Sequence, residues 1–251
     1  MSGGTIAIVT GASRGLGAAL ARNLAGSARQ LITVSRNSDA QTQQLAEASG
    51  CRHVHYGHDL SDVQHIEAAA LGIFAQLDQT ADQYLLINNA GSLGPVAQYD
   101  ALKDAHAISS TFNLNVTSAM LLTTALLRAT QALGADVRVV NISSGAGRSP
   151  TAGWGVYCAT KAALDMYTRV ARLEAPHARL VSLAPGVIDT SMQETIRSSN
   201  ANDFPDLPRF NTLNETGALL SPEAVAENII RYINSEHFAS KELDDIRQYS
   251  Q

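Results

Sequence analysis

Thr5-Ile6-Ala7-Ile8-Val9-Thr10-Gly11-Ala12-Ser13-Arg14-Gly15-Leu16-Gly17 is the stretch on which the fold turns. A short β-branched run leads directly into a glycine-rich turn, and an Ala- and Leu-rich helical pattern follows at once. Glycines suit such a turn because it is tight and because the backbone must come close to a pyrophosphate. The helix that follows offers unpaired N–H groups and the positive end of its dipole. A glycine triplet alone is weak evidence, but its place between a strand and a helix near the N-terminus strengthens it. Gly11, Ser13, Arg14, Gly15, Leu16 and Gly17 are therefore the expected seat of a dinucleotide's phosphates.

Working outward, β-branched runs and longer helical patterns continue to alternate. Strands are expected at Thr5–Thr10, Gln30–Ser35, Arg52–Gly57, Tyr84–Asn88, Val137–Ser143 and Leu180–Ala184. Helical patterns fill Leu16–Gly26, Val63–Leu77, Thr111–Leu133 and Ala152–Ala175. This alternation implies right-handed βαβ crossovers, hence a three-layer α/β/α Rossmann fold on a doubly wound parallel sheet. The pattern breaks after Pro185-Gly186. Residues 190–220 mix Ser, Asn, Pro, Phe and Met, with weak helical character around Gln193–Ser198, and read as a lid over the sheet edge. Ser221-Pro222-Glu223 puts a cap residue first and Pro at the first helical position, so a further helix is expected to about Asn234. With no repeats or linkers, residues 1–251 read as one domain.

Composition narrows the function. The 251 residues are 45% hydrophobic and 5% aromatic, so the core must be aliphatic, as parallel strands covered by helices require. A net charge of −5 with no basic run argues against nucleic acid as the partner. Cys51 and Cys158 form no CxxC pair, and neither a signal-peptide pattern nor an apolar run of membrane-spanning length is seen. The expectation is a soluble, cytoplasmic protein.

The end of the second strand selects the cofactor. Enzymes that take NAD place an acid there to hold the ribose 2′-hydroxyl. This chain reads Val34-Ser35-Arg36-Asn37, and Asp39 lies too far along to substitute. Arg36, with Arg14 approaching from the glycine loop, can face a 2′-phosphate through its planar fork, so NADP(H) is expected.

The chemistry falls on Tyr157 and Lys161, four residues apart on one helical face. A phenol with an ordinary pKa near 10 is a poor proton donor or acceptor, and a neighbouring ammonium is expected to lower it. The same lysine can hold the nicotinamide ribose. Thirteen residues upstream of the tyrosine, Ser144 follows a predicted strand, where it can bind a substrate carbonyl. Ser143 is its rival, but adjacent strand residues face opposite ways and the spacing favours Ser144. Cys158 should turn about 100° away from the site and pack. Trp154 either lines a pocket for aromatic substrates or is structural. His53, His55 and His58 lack the further ligands of a metal site, so no metal is expected.

Taken together, these segments resemble a short-chain dehydrogenase/reductase over nearly the whole chain. Beside the glycine loop stand Asn88-Asn89-Ala90-Gly91, Tyr157-Cys-Ala-Thr-Lys161 and Pro185-Gly186-Val187-Ile188-Asp189-Thr190. Asn141 to Gly147, Gly153 to Cys158, Ala184 to Gln193 and Leu219 to Glu223 are similar to the branch holding sepiapterin and benzil reductases. The resemblance implies that Tyr157 protonates the carbonyl oxygen, Lys161 assists it, Ser144 orients the carbonyl and Asn115 holds a relay water. It places Asp59 and Leu60 beside the adenine and Asn89, Ala90 and Gly91 along its ribose. Pro185, Gly186, Ile188 and Thr190 would flank the nicotinamide. In the segment after Pro185-Gly186, Met192, Phe204 and Phe210 either close over the substrate or anchor the lid to the sheet edge. Asp245 is the better match to the aspartate that anchors a pterin in sepiapterin reductases. The implied activity is NADPH-dependent reduction of a ketone or 1,2-diketone, by a homodimer or homotetramer acting on a small-molecule carbonyl. The alternative, an NADP(H) sensor without turnover, would be expected to lack the tyrosine or the lysine.

Overall fold

The computed structural model describes residues 3–249. Strands β1 (Thr5–Thr10), β2 (Gln30–Ser35), β3 (Arg52–Gly57), β4 (Gln83–Asn88), β5 (Asp136–Ile142), β6 (Ala178–Ala184) and β7 (Leu243–Asp245) form one sheet in the order 3-2-1-4-5-6-7. Every pairing in it is parallel. Strands β1, β2, β4, β5 and β6 are buried along nearly their whole length, which is why they read as continuous apolar runs rather than alternating ones.

Helices cover both faces. Helix α1 (Gly15–Ala25) buries eight of its eleven residues, half of them Ala, so that it lies close to the sheet. On the same side, α9 (Pro222–Ile233) turns Val225, Ala226, Ile229, Tyr232 and Ile233 inward at helical spacing. Ser221 Oγ caps it by accepting from Ala224 N, as the Ser-Pro-Glu signal implied. Two more helices, α2 (Ala40–Ser49) and α3 (Val63–Phe74), follow strands β2 and β3.

The expected helix over 111–133 is divided. Helix α4 (Ala105–Phe112) passes through a π-helical turn at Asn113–Thr117 into α5 (Ser118–Thr130). The turn is centred on Asn115, whose buried amide reaches sideways to other segments. Helix α6 (Gly155–Glu174) carries the tyrosine and lysine. The expected lid region holds two formed helices, α7 (Ser191–Arg197) and α8 (Leu207–Glu215), more order than its mixed composition suggested.

The strand order reverses between β1 and β4, the switch point where open α/β sheets bind ligands. Gly17 makes that crevice possible. A Cβ there would stand 2.1 Å from Gly11 O and 2.4 Å from Asn89 Nδ2. Gly17→Ala is accordingly expected to lose roughly 1–3 kcal/mol of stability and to weaken dinucleotide binding together. A thermal melt with and without NADPH checks this: the variant's midpoint should fall, and NADPH should recover less of it than in the native chain.

Candidate active site

A single cavity of about 1270 Å³ runs along the carboxyl ends of the strands. It brings together Gly11, Ser13, Arg14, Gly15, Leu16 and Gly17 from the first loop, Arg36 after β2, and Asp59 and Leu60 after β3. Asn89, Ala90 and Gly91 follow from β4, Ser144 from β5, and Pro185, Gly186, Ile188 and Thr190 from β6. Tyr157 and Lys161 enter from α6, with Trp154 and Met192 at the outer end.

The first loop is shaped to take an anion. Helices α2, α3, α4 and α9 each start with an Asp or Ser side chain accepting a backbone N–H, but the Arg14 cap of α1 supplies none. No acidic residue sits in the first turn of α1 either, so its N–H groups and dipole are left for a ligand. Asn89 Nδ2 donates to Thr10 O at 3.0 Å, and the Asn89 and Ala90 N–H groups both donate to Thr10 Oγ1 at 3.0 Å. Asn89 thus ties β4 to the glycine loop. Thr190 closes the other side, its Cγ2 lying 3.2 Å from the point a Cβ on Gly15 would occupy. The residues fit a bound dinucleotide.

Arg36 Nη1 is 3.9 Å from Asp59 Oδ2, a loose contact between exposed side chains that leaves the guanidinium fork open. Asp59 is engaged locally, accepting from Ser61 N and Oγ. Asp39, too distant to act as the missing acid, caps α2 and binds Arg22 at 2.9 Å.

At the reacting end, Tyr157 is 7% exposed and meets Trp154 edge-on, centroids 5.6 Å apart. Trp154 is 7% exposed and stacks on fully buried Phe204 at 4.9 Å and 4°, with Phe210 also against it. The indole therefore both lines the cavity and anchors α8. Ser144 lies just beyond β5, its Oγ accepting from Ala146 N at 3.2 Å. Ser143 instead is 2% exposed and its hydroxyl donates to Asp165 Oδ1 at 2.6 Å, whereas the Ser144 hydroxyl meets Tyr157. Cys158 packs against the aromatic cluster.

Lys161 is 4% exposed; its Nζ donates to Ile142 O at 2.8 Å and lies 5.7 Å from the Tyr157 ring centre. Burial pulls its pKa down to about 8, against the pull of Asp165. The expected lowering of the tyrosine is not what the site produces. Burial pushes Tyr157 up to about 12, and the hydrogen bond with Ser144 offsets only part of that. The physical reason is desolvation: a phenolate in so buried a place costs more than the Ser144 hydrogen bond returns. Tyr157 thus keeps its proton at neutral pH. A consequence is that any turnover depending on this pair should hold level below pH 8 and fall as pH rises through it, because Lys161 loses its charge there while Tyr157 does not titrate. A kcat profile from pH 6 to 10 checks this.

Two further expected site residues stand apart from the cavity lining. Asn115 is 1% exposed and fully engaged: Nδ2 donates to Ser92 O and Thr160 Oγ1, and Oδ1 accepts from Ser92 N. Asp245 gives both carboxylate oxygens to Arg247, with Oδ1 accepting from its N and Nε and Oδ2 from Nη2. Arg247, which the sequence did not single out, reaches the cavity instead. Of the histidines, His53 Nε2 and His55 Nδ1 meet Thr33 Oγ1 at 2.9 and 3.1 Å, behind β2.

Fold and site together define an oxidoreductase that works with a dinucleotide. The family model for short chain dehydrogenase matches residues 5–201. The chain is 36% identical to the benzil reductase ((S)-benzoin forming) of Bacillus cereus, over 94% of this chain and 96% of that protein. It is also 36% identical to sepiapterin reductase of Rattus norvegicus, over 95% and 94%. A solved short-chain dehydrogenase/reductase of Burkholderia vietnamiensis superposes with a TM-score of 0.67 at 34% identity, covering 98% of this chain and 99% of that one. The chain belongs to the short-chain dehydrogenase/reductase family, whose members use NAD(P)(H).

Proposed function

We propose that the chain is an NADPH-dependent carbonyl reductase acting on aryl ketones and 1,2-diketones. What carries this reading is the meeting, in one cavity, of an open-capped glycine loop, a protonated buried tyrosine and an aromatic wall. NADPH, when bound, supplies the hydride. Gly11, Ser13, Arg14, Gly15, Leu16 and Gly17 hold the pyrophosphate, and Arg14 with Arg36 holds the 2′-phosphate. Asp59 and Leu60 flank the adenine, Asn89, Ala90 and Gly91 its ribose, and Pro185, Gly186, Ile188 and Thr190 the nicotinamide. The remaining Lys161 N–H groups hold the nicotinamide ribose beside Tyr157. Ser144 donates to the substrate carbonyl, and Tyr157 passes its proton to the same oxygen as negative charge develops there. Asn115 steadies the Ser92 and Thr160 segments on either side of the lysine.

Trp154, Met192 and Phe210 give the substrate end an apolar wall, and residues 190–220 act as a lid over it. Arg247 occupies Asp245, so that carboxylate is not free to anchor a pterin, which favours diketones over sepiapterin. Exposed Met120 and Leu121 on α5, with Met166, Val170 and Leu173 on α6, favour a homodimer or homotetramer, which light scattering would measure. Unpaired Cys51 and Cys158 agree with a cytoplasmic setting.

The test is NADPH oxidation at 340 nm against benzil, 1-phenyl-1,2-propanedione, sepiapterin and simple ketones, with NADH as control. The diketones should turn over fastest. Tight NADPH binding with no turnover of any of these would overturn the reading in favour of a sensing protein.

A further inference from the structure

Tyr157, Lys161 and Asp165 form one buried stripe along α6, each a helical turn from the next. The third member does not line the cavity and belongs to no part of the mechanism above. Asp165 is 5% exposed. Its Oδ1 accepts from Ser143 Oγ at 2.6 Å and Ser182 Oγ at 2.5 Å, and its Oδ2 from Arg148 Nε at 3.1 Å. Ser143 adjoins Ser144, and Arg148 closes the short turn at 145–147 that Ser144 opens. The same guanidinium reaches on to Ser182 O and, on β7, Asp244 O. One carboxylate thus fastens the ends of β5 and β6 to the middle of α6 and, through Arg148, to the last strand.

A carboxylate this dry is costly unless paired and hydrogen-bonded. Two of its donors are neutral hydroxyls, and the third is an arginine still 28% exposed. Lys161 stands one turn away on the same stripe, where the charge of Asp165 favours its ammonium. We infer that Asp165 is a positioning residue: through Ser143 and Arg148 it fixes the turn that presents Ser144, and it supplies the anion that supports the Lys161 ammonium. The charged and titratable groups around the pair are Tyr157 on α6, Arg148 on the turn after β5, and Asp244 and Asp245 on β7. The sheet and the π-helical turn present Ser143, Ser182, the Ile142 carbonyl and Asn115.

This inference rests on the carbonyl reductase reading only for its kinetic arm. Lys103, Lys161 and Lys241 are the only lysines in the sequence, so lysine labelled with 13C at Cε gives three NMR resonances. Lys103→Arg and Lys241→Arg assign them. In full-length Asp165→Asn the Lys161 midpoint should fall by about half a pH unit or more. In Arg148→Gln, which removes the competing cation, it should rise. With benzil and NADPH, the alkaline limb of kcat should move with the same sign in each variant. Asp165→Asn should also lose roughly tenfold to a hundredfold in kcat from the misplaced serine, with NADPH affinity little changed. A Lys161 midpoint unmoved in both folded variants overturns the inference; if Asp165→Asn does not fold, Arg148→Gln decides alone. Should the native chain reduce none of the carbonyls, the proposed function fails, and the NMR arm still tests Asp165.

Discussion

Tyr157→Phe should reduce kcat for carbonyl reduction by about 10³-fold, within the usual range for removing a general acid. That loss corresponds to about 4 kcal/mol of transition-state stabilisation. The phenyl ring survives in the variant, so the edge-on contact with Trp154 and the cluster around Phe204 and Phe210 are kept. Only the hydroxyl goes, along with its bond to Ser144. Stability and NADPH affinity are therefore expected to stay near native values, which separates this variant from Gly17→Ala, where both should fall. A water taking the place of the hydroxyl would be a far weaker acid than a phenol, so it does not replace the lost donor. Single-turnover kinetics with preloaded NADPH would measure the chemical step directly. A variant that keeps native turnover would remove Tyr157 from the mechanism.

What the sequence made legible, and what it hid, divides along physical lines. Strands β1 and β2 run where the β-branched pattern put them, because burial on both faces leaves a continuous apolar signal; β3 also lies where expected, although it is only half-buried and mostly polar. Helix α2 was missed because it turns only Thr42 and Ala46 inward and is otherwise polar. Strand β7 is three residues long and carries two aspartates. It forms because β6 pairs with it and because the Tyr232 and Tyr249 hydroxyls donate to Asp244 Oδ2. No local pattern announces a partner so far away in the chain. The π-helical turn likewise depends on what Asn115 reaches across the fold. Within the site, the residues on the loops after β1, β2, β4 and β6 were readable from motif and order. Tyrosine's pKa was misread because charge is visible in a sequence and desolvation is not. Asp165 was overlooked for a simpler reason: the helical stripe was read as far as Lys161 and not one turn further.

The second large effect concerns cofactor choice. Replacing Arg14 and Arg36 together by Ala should shrink the preference for NADPH over NADH, as a ratio of kcat/KM, by about 10²-fold. Each guanidinium can give a charge-assisted bond to a 2′-phosphate worth roughly 1.5–3 kcal/mol. Both face open solvent at the cavity edge, so screening should hold the combined effect toward the lower end of that sum. NADH, lacking the phosphate, should be used by the variant about as well as by the native chain. Because Arg36 now sits only 3.9 Å from Asp59, removing it also leaves that carboxylate uncompensated beside the incoming ribose. This should penalise NADPH further and, if anything, help a 2′-hydroxyl. The two contributions separate by salt: the phosphate contacts weaken as ionic strength rises, so native KM for NADPH should climb with salt while KM for NADH stays level. A native chain that prefers NADH, or a double variant with the native ratio, would show that these two arginines are ordinary surface charges.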